Sequence, residues 1–420
     1  MNQKSLTVFP RIKTRQQLST EPSARWIKEG LLQVLGKATC GHLILRERGQ
    51  LLAEFGNRGD SLQAEINIVD TRVYKRALLG GNAAAGEAYV DGWWTTPDIA
   101  QVTRFFSRNL HMMDAWSARF GWLLKPVSWL RVARRMNSHS QAKRNILAHY
   151  DLGNQLYSAF LDPAMQYSSA IYRSDCDTLE QAQRNKMLRI CEQLQLDSSD
   201  HLIEIGTGWC GLAIYAASNF GCRVTTTTIS DEQYKFSKER IQKLGLADRI
   251  TVLNKDYREL EGQFDKLVSV EMIEAVGRKY LPGYFGQLDQ LLKPGGLAMI
   301  QAITIADQRF EVYSRTEDFI QKHIFPGGFL PSLQFISQLL AKGSELVIRD
   351  IHDMGLDYAR TLKDWRENFM ARTGELEKLG YGEQFHRLWE YYLGYCEGGF
   401  LERRISAVQL LASKSPHYAV

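Results

Sequence analysis

The sequence predicts an α/β protein: a doubly wound, Rossmann-like domain with helical insertions, preceded by a small α+β domain. Three observations carry this. Strands and helices alternate from about residue 146 onward. A glycine-rich turn, Glu204-Ile205-Gly206-Thr207-Gly208-Trp209-Cys210-Gly211, follows the first clear strand of that region. A stretch without a single acidic residue, Ala115 to Tyr150, separates it from a differently patterned N-terminal part. The implied boundaries are 20–115 for the small domain, 116–145 for a basic linker and 146–420 for the α/β domain.

In the small domain, His42 to Arg46 and Ala64 to Val69 alternate apolar and polar residues, as half-buried strands do. Gly80-Gly81 breaks the chain. A helix is predicted over Asn82 to Tyr89, and another over Thr96 to Arg108, where Pro97-Asp98 supplies a start signal. In the α/β domain the predicted strands are His201 to Ile205, Arg223 to Ile229, Ile250 to Leu253, Phe264 to Val270 and Gly296 to Ile303. Helices are predicted over Leu212 to Asn219 and Asp231 to Leu244. Such alternation argues a parallel sheet covered on both faces.

With 420 residues, the chain can bury at least one sizeable core. Its longest apolar runs are strand-length, far short of the roughly 20 residues of a membrane-spanning helix. Met1 to Arg15 carries no signal-peptide pattern, so a cytoplasmic location is expected. Six cysteines are scattered without a CxxC pair, and no metal site is expected. The acid-free stretch holds Arg119, Lys125, Arg131, Arg134, Arg135, Lys143 and Arg144, with Trp116, Trp122 and Trp129 among them. Basic residues with tryptophans suit an anionic membrane surface. By composition alone they would also suit nucleic acid.

Glycines in the first βα turn allow a ligand to approach the backbone at a helix N-terminus. Three details favour S-adenosylmethionine over a dinucleotide. Glu204 stands on the strand two residues before Gly206, with Gly208 following, where it can orient the amino-acid end of that cofactor. The second strand ends in Thr226, Thr227 and Thr228, with no acid at its tip for a ribose. Asp231 just beyond keeps the dinucleotide alternative open. Asp256-Tyr257 follows the third strand, and Tyr257 can stack on a purine.

Several segments are specific enough to name a family. They include Tyr150-Asp151-Leu152-Gly153-Asn154, Leu161-Asp162-Pro163-Ala164-Met165-Gln166-Tyr167-Ser168 and Thr228-Ile229-Ser230-Asp231-Glu232-Gln233. Others are Ser269-Val270-Glu271-Met272-Ile273-Glu274-Ala275-Val276-Gly277, Ile324-Phe325-Pro326-Gly327-Gly328-Phe329, and Asp357-Tyr358-Ala359-Arg360-Thr361-Leu362. On these the chain resembles the cyclopropane-fatty-acyl-phospholipid synthases over nearly its whole length. Gly86 to Gly92 resembles that family's small lipid-carrier-like domain.

The resemblance implies an S-adenosylmethionine-dependent methyltransferase domain acting on the cis double bond of an unsaturated fatty-acyl phospholipid. It implies a peripheral place at the inner membrane surface, no nucleic-acid partner, and room for a homodimer. Tyr167, Ser168, Thr228 and Gln233 join Glu204, Gly206, Gly208 and Tyr257 as implied cofactor contacts. Tyr150, Tyr167, Phe325 and Tyr358 are candidates to shelter a carbocation. The family's base is a bicarbonate held by a Cys, a Glu, a His, a backbone group and a Tyr. Here Glu274 and Tyr358 keep their types and Ile303 takes the backbone position. Ser169 replaces the Cys and Gln301 the His; both still form hydrogen bonds, so bicarbonate remains an expected cofactor. Glu397, in an otherwise apolar stretch, has two readings: a built-in base replacing the anion, or an ion-paired glutamate with Arg403 or Arg404. Rivals to ring formation are a methyl- or methylene-branched product and a small-molecule N-methyltransferase, which shares the Thr-Ile-Ser and Glu-Met-x-Glu signatures.

Overall fold

A computed structural model of the chain describes residues 23–112 and 152–415. The segment 116–145, with its basic and tryptophan residues, lies outside the described residues, as does Tyr150.

The small domain opens with α1 (Ser23–Leu35), which turns Ile27, Val34 and Leu35 inward. Strands β1 (His42–Glu47) and β2 (Gln50–Gly56) form a hairpin. Its two turn residues, Arg48 and Gly49, both have positive φ, which matches the twist of paired strands. Strand β3 (Gln63–Ile68) runs parallel to β1. Helix α2 (Arg72–Val90) is longer than the sequence predicts and kinks at Gly81, where φ is 58° and ψ −149°. The short β4 (Trp94–Thr95) leads to α3 (Ile99–Arg108), capped by the Asp98 carboxylate accepting from Ala100 N at 2.8 Å. The sheet order is β2-β1-β3-β4.

The second domain enters through α4 (Asn154–Phe160) and α5 (Leu179–Gln193). The winding then runs β5 (His201–Ile205), α6 (Gly211–Phe220), β6 (Arg223–Thr228), α7 (Asp231–Lys243), β7 (Ile250–Asn254), β8 (Phe264–Val270), α8 (Ile273–Val276), α9 (Leu281–Leu291) and β9 (Leu292–Ile305). Helices α10 (Asp307–Tyr313), α11 (Phe319–His323) and α12 (Leu333–Gly343) follow. Strand β10 (Leu346–Asp353), helices α13 (Gly355–Ala371), α14 (Thr373–Lys378) and α15 (Glu383–Leu401), and strand β11 (Ile405–Lys414) complete it. Strand order is β10-β11-β9-β8-β5-β6-β7. Strands β5 to β9 are mutually parallel, and β11 runs antiparallel to both β9 and β10. The winding reverses between β5 and β8, so a ligand crevice belongs at the carboxyl ends of those two strands.

One apolar core joins the two sheets, extending from Ile27, Leu45 and Trp94 to Trp365, Trp389 and Phe400. Close helix packing explains the small residues of α15. A side chain at Gly394 would stand 2.7 Å from Ile99 of α3, and one at Gly398 would stand 2.6 Å from Thr103. Polar contacts lock the same face. Arg104 and Arg108 both reach Glu402, at 2.8 and 2.9 Å, and Tyr89 Oη donates to Glu390 at 2.7 Å. Among the described residues, no helix is long and apolar enough to cross a membrane.

Candidate active site

Two cavities meet at the switch point. The smaller, about 170 Å³, lies over the carboxyl ends of β5, β6 and β8, lined by Ser168, Glu204, Gly206, Gly208, Thr228, Gln233 and Tyr257. All eight residues expected to contact the cofactor, Tyr167 included, line it. The backbone is shaped for close approach: Gly206 has φ +99° and Gly208 φ +52°. A side chain at Gly208 would meet nothing within 4 Å, so the missing Cβ leaves room for a ligand. Glu204 is buried and accepts from Thr226 Oγ1 at 2.6 Å; burial pushes its carboxyl up to about 8. Thr228 Oγ1 donates to Gln233 Oε1 at 2.8 Å, which fixes the tip of β6 against the start of α7. The Asp256 carboxylate is engaged by Arg258 at 2.6 Å, leaving Tyr257 as the aromatic wall. A glycine cradle, a carboxylate and an aromatic wall fit an S-adenosylmethionine molecule.

The larger cavity, about 810 Å³, begins among Ile27, Leu45 and Ile66 of the small domain. It runs past Phe325, Tyr391 and Tyr392 to Tyr358 and Glu274. Tyr167, Glu271 and Ala275 line both cavities. That junction is where a methyl donor and an acyl chain would face each other. Tyr167 is held by its hydroxyl, 2.9 Å from that of Tyr392, and by Trp365, whose ring centroid lies 5.2 Å away.

The polar groups at the junction centre on Glu271, to which the sequence reading gave no role. Its Oε1 accepts from Ser169 N and from Gln301 Nε2, both at 2.8 Å. Its Oε2 accepts from Tyr358 Oη at 2.7 Å. Gln301 is oriented in turn by Gln409 Nε2, which donates to Gln301 Oε1 at 3.0 Å. The Ser169 hydroxyl turns away and donates to Ala170 O at 3.1 Å. Glu274 Oε1 accepts from Ile303 N at 2.5 Å, and its Oε2 is buried with no hydrogen-bond partner among the described residues. Burial, then the nearby Glu271 charge, pushes the Glu274 carboxyl up to about 8. Burial raises Glu271 as well, but three donors and the Lys186 charge oppose the rise. The three donors thus favour the charged form at Glu271, and that charge disfavours the charged form at Glu274.

Lys186 was also missed. It is fully buried and donates to Gln166 Oε1 and Ser168 Oγ, both at 2.8 Å. Burial holds its ammonium down to about 8, against the favourable charges of Glu271, Asp162 and Glu204.

Glu397 is not brought to the junction. Its carboxylate accepts from Arg366 Nη2 at 2.8 Å and Nε at 3.2 Å. This corrects the built-in-base reading: the charge is spent in an ion pair. The partner is Arg366 on α13, not Arg403 or Arg404, which instead reach Asp353 and Ser107 O. Breaking a buried pair from one side strands the other charge. Arg366→Leu should lower unfolding free energy by roughly 3 kcal/mol, read from denaturant midpoints, and Arg366→Leu with Glu397→Leu should recover most of it. Equal stability of the single variant and the parent would show that the pair contributes nothing.

Comparisons with known proteins follow the same geometry. Residues 137–410 match the family profile described as mycolic acid cyclopropane synthetase. The chain is 39% identical over 356 residues to the cyclopropane-fatty-acyl-phospholipid synthase of Escherichia coli K12, covering 84% of this chain and 89% of that one. It is also 39% identical over 339 residues to the tuberculostearic acid methyltransferase of Mycobacterium tuberculosis, covering 78% and 77%. A solved cyclopropane synthase from Mycobacterium tuberculosis superposes with a TM-score of 0.62 at 25% identity, over 66% of this chain and 99% of that one. A coclaurine N-methyltransferase superposes with a TM-score of 0.60 at 17% identity, over 78% and 98%, which speaks for the fold alone.

Proposed function

Because the chain belongs to the mycolic acid cyclopropane synthetase family, we propose that it transfers a methyl group from S-adenosylmethionine to the cis double bond of an unsaturated fatty-acyl phospholipid and closes a cyclopropane ring. The observation that carries this reading is the junction: an apolar cavity of about 810 Å³ opens onto the cofactor pocket at Tyr167, Glu271 and Ala275. Its volume lies high in the range of about 300–1,000 Å³ typical of pockets that enclose organic ligands.

When bound, S-adenosylmethionine supplies a methyl on a sulfonium, an electrophile strong enough for an isolated alkene. The chain's own residues do the rest. Gly206, Gly208 and Glu204 hold the cofactor. The apolar cavity excludes water from a carbocation that water would quench. The faces of Tyr167, Phe325 and Tyr358 each stabilise positive charge by about 0.5–2 kcal/mol. A carboxylate at the junction takes the proton whose loss lets the ring close.

The relative named as a tuberculostearic acid methyltransferase is as similar as the cyclopropane synthase, so a branched product is the second reading. The test incubates the protein with S-adenosylmethionine and vesicles of cis-unsaturated or fully saturated phospholipid. Cis-unsaturated chains should gain about 14 mass units per transfer, the mass of one methylene. Chromatography of the released acids separates ring from branch. Unmodified lipid, with methyl transfer instead to a soluble amine added to the same mixture, would favour the N-methyltransferase rival.

We place the substrate in a bilayer, reached from the inner membrane surface by a cytoplasmic, peripheral protein. Binding to anionic vesicles should then weaken with salt, since charge reaches only about 8 Å at physiological ionic strength. Replacing Arg131, Arg134 and Arg135 by glutamine should weaken it by about 1 kcal/mol per charge near the surface. Equal binding to neutral and anionic vesicles at every salt concentration would count against the basic segment as the contact.

A further inference from the structure

We infer that Glu271 is the built-in base of this enzyme, its carboxylate filling the place that a bound bicarbonate holds in the family. The inference rests on the function proposed above and specifies its proton-transfer step.

The family resemblance assigns bicarbonate to five positions, which here are Ser169, Glu274, Gln301, Ile303 and Tyr358. Three of them already donate to Glu271: Ser169 through its backbone N–H, Gln301 through its amide and Tyr358 through its hydroxyl. The fourth donor, Ile303 N, is taken by Glu274. Those four donors are engaged, and the carboxylate of Glu271 would repel a second anion. The residues present therefore do not fit bicarbonate. They fit a carboxylate that the chain supplies itself.

The backbone points the same way. Glu271 has φ +48°, a region that favours glycine and costs other residues about 1 kcal/mol or more. The strain is held by Glu271 N donating to Gln301 O at 2.8 Å, across the β8–β9 pairing. A glutamate kept in a glycine conformation at the mouth of two cavities is strain retained for a purpose. The two departures from the family pattern then have a shared reason. A neutral Gln301 donates to a fixed carboxylate without adding a proton of its own, and at position 169 only the backbone N–H is used.

The chemistry balances without another reactant. The alkene's π pair forms the new C–C bond to the methyl as the S–CH₃ bond breaks, and sulfur keeps that pair. The second alkene carbon becomes the cation. Glu271 removes a proton from the transferred methyl, and the freed C–H pair forms the third bond of the ring. The carboxylic acid then returns its proton to solvent. Tyr358, whose own ionisation is suppressed by burial and by Glu271, stays a donor throughout.

The experiment compares the parent, Glu271→Gln and Glu271→Gly on cis-unsaturated phospholipid vesicles, in buffer stripped of bicarbonate and after adding it back. The parent should be indifferent to bicarbonate. Glu271→Gln, nearly isosteric, should lose about 10²–10⁴-fold in kcat with cofactor affinity retained, the range for loss of a general base. Glu271→Gly relieves the backbone and empties the anion position, so its lost activity should return in part with bicarbonate or formate. A parent rate that falls without bicarbonate and recovers with it would overturn the inference, as would a Glu271→Gln variant with parental kcat. A parent that methylates no phospholipid under either condition would instead refute the proposed function.

Discussion

Gly206→Val is expected to abolish S-adenosylmethionine binding, with affinity falling more than about 100-fold, equivalent to roughly 3 kcal/mol. Two effects add. At φ +99°, a β-branched residue has no comfortable conformation, so the turn after β5 must deform. An ideal Cβ there already stands 3.4 Å from Met272 Cγ, and the valine methyls beyond it would enter the cofactor pocket. Titration calorimetry measures the loss, with circular dichroism to confirm the fold. Unchanged affinity would remove the β5 turn from the cofactor site.

Ala275→Phe is expected to separate the two cavities. Ala275 sits on α8 and lines both, so a benzyl group there would stand between donor and acyl chain. Misplacement of reacting atoms by about 1 Å can cost 10²-fold, and the transfer rate should fall by at least about that factor. Cofactor affinity should fall far less, because Glu204, Gly206 and Gly208 keep their positions. Transfer at the parental rate would mean that the acyl chain reaches the methyl by another route.

The parallel strands were legible because each is a short run rich in apolar or β-branched residues, closed by a turn. His201–Ile205 and Phe264–Val270 match the expected bounds, and Arg223–Thr228 and Ile250–Asn254 do so to one residue. The cofactor residues were legible for the same reason: they sit on the βα turns, where local sequence dictates backbone shape. The edge was harder to see. Among the described residues, strand β10 pairs only with β11, and β11 inserts antiparallel beside β9, which no local pattern announces. Strand β2 escaped notice because its burial does not alternate cleanly. The kink at Gly81 hid that α2 starts at Arg72.

Within the site, Glu271 was read as part of a signature and given no task. Its three partners lie 102, 30 and 87 residues away in sequence, brought together by the loop between α4 and α5, the β8–β9 register and the docking of α13. A glutamate at the end of β8, three residues before another, was the available signal. Glu397 misled for the mirror reason. Its apolar neighbours were visible, but Arg366, 31 residues upstream on α13, was not an obvious partner.

The most direct test of the central claim follows the methyl itself. Cells expressing the chain are fed methionine carrying a trideuterated methyl group, and lipids and soluble metabolites are compared by mass spectrometry with cells lacking it. The account predicts phospholipid acyl chains that carry one new ring carbon with two of the three deuteriums, the third lost to Glu271. Label appearing in a soluble amine while the phospholipid acyl chains remain unlabelled would contradict it.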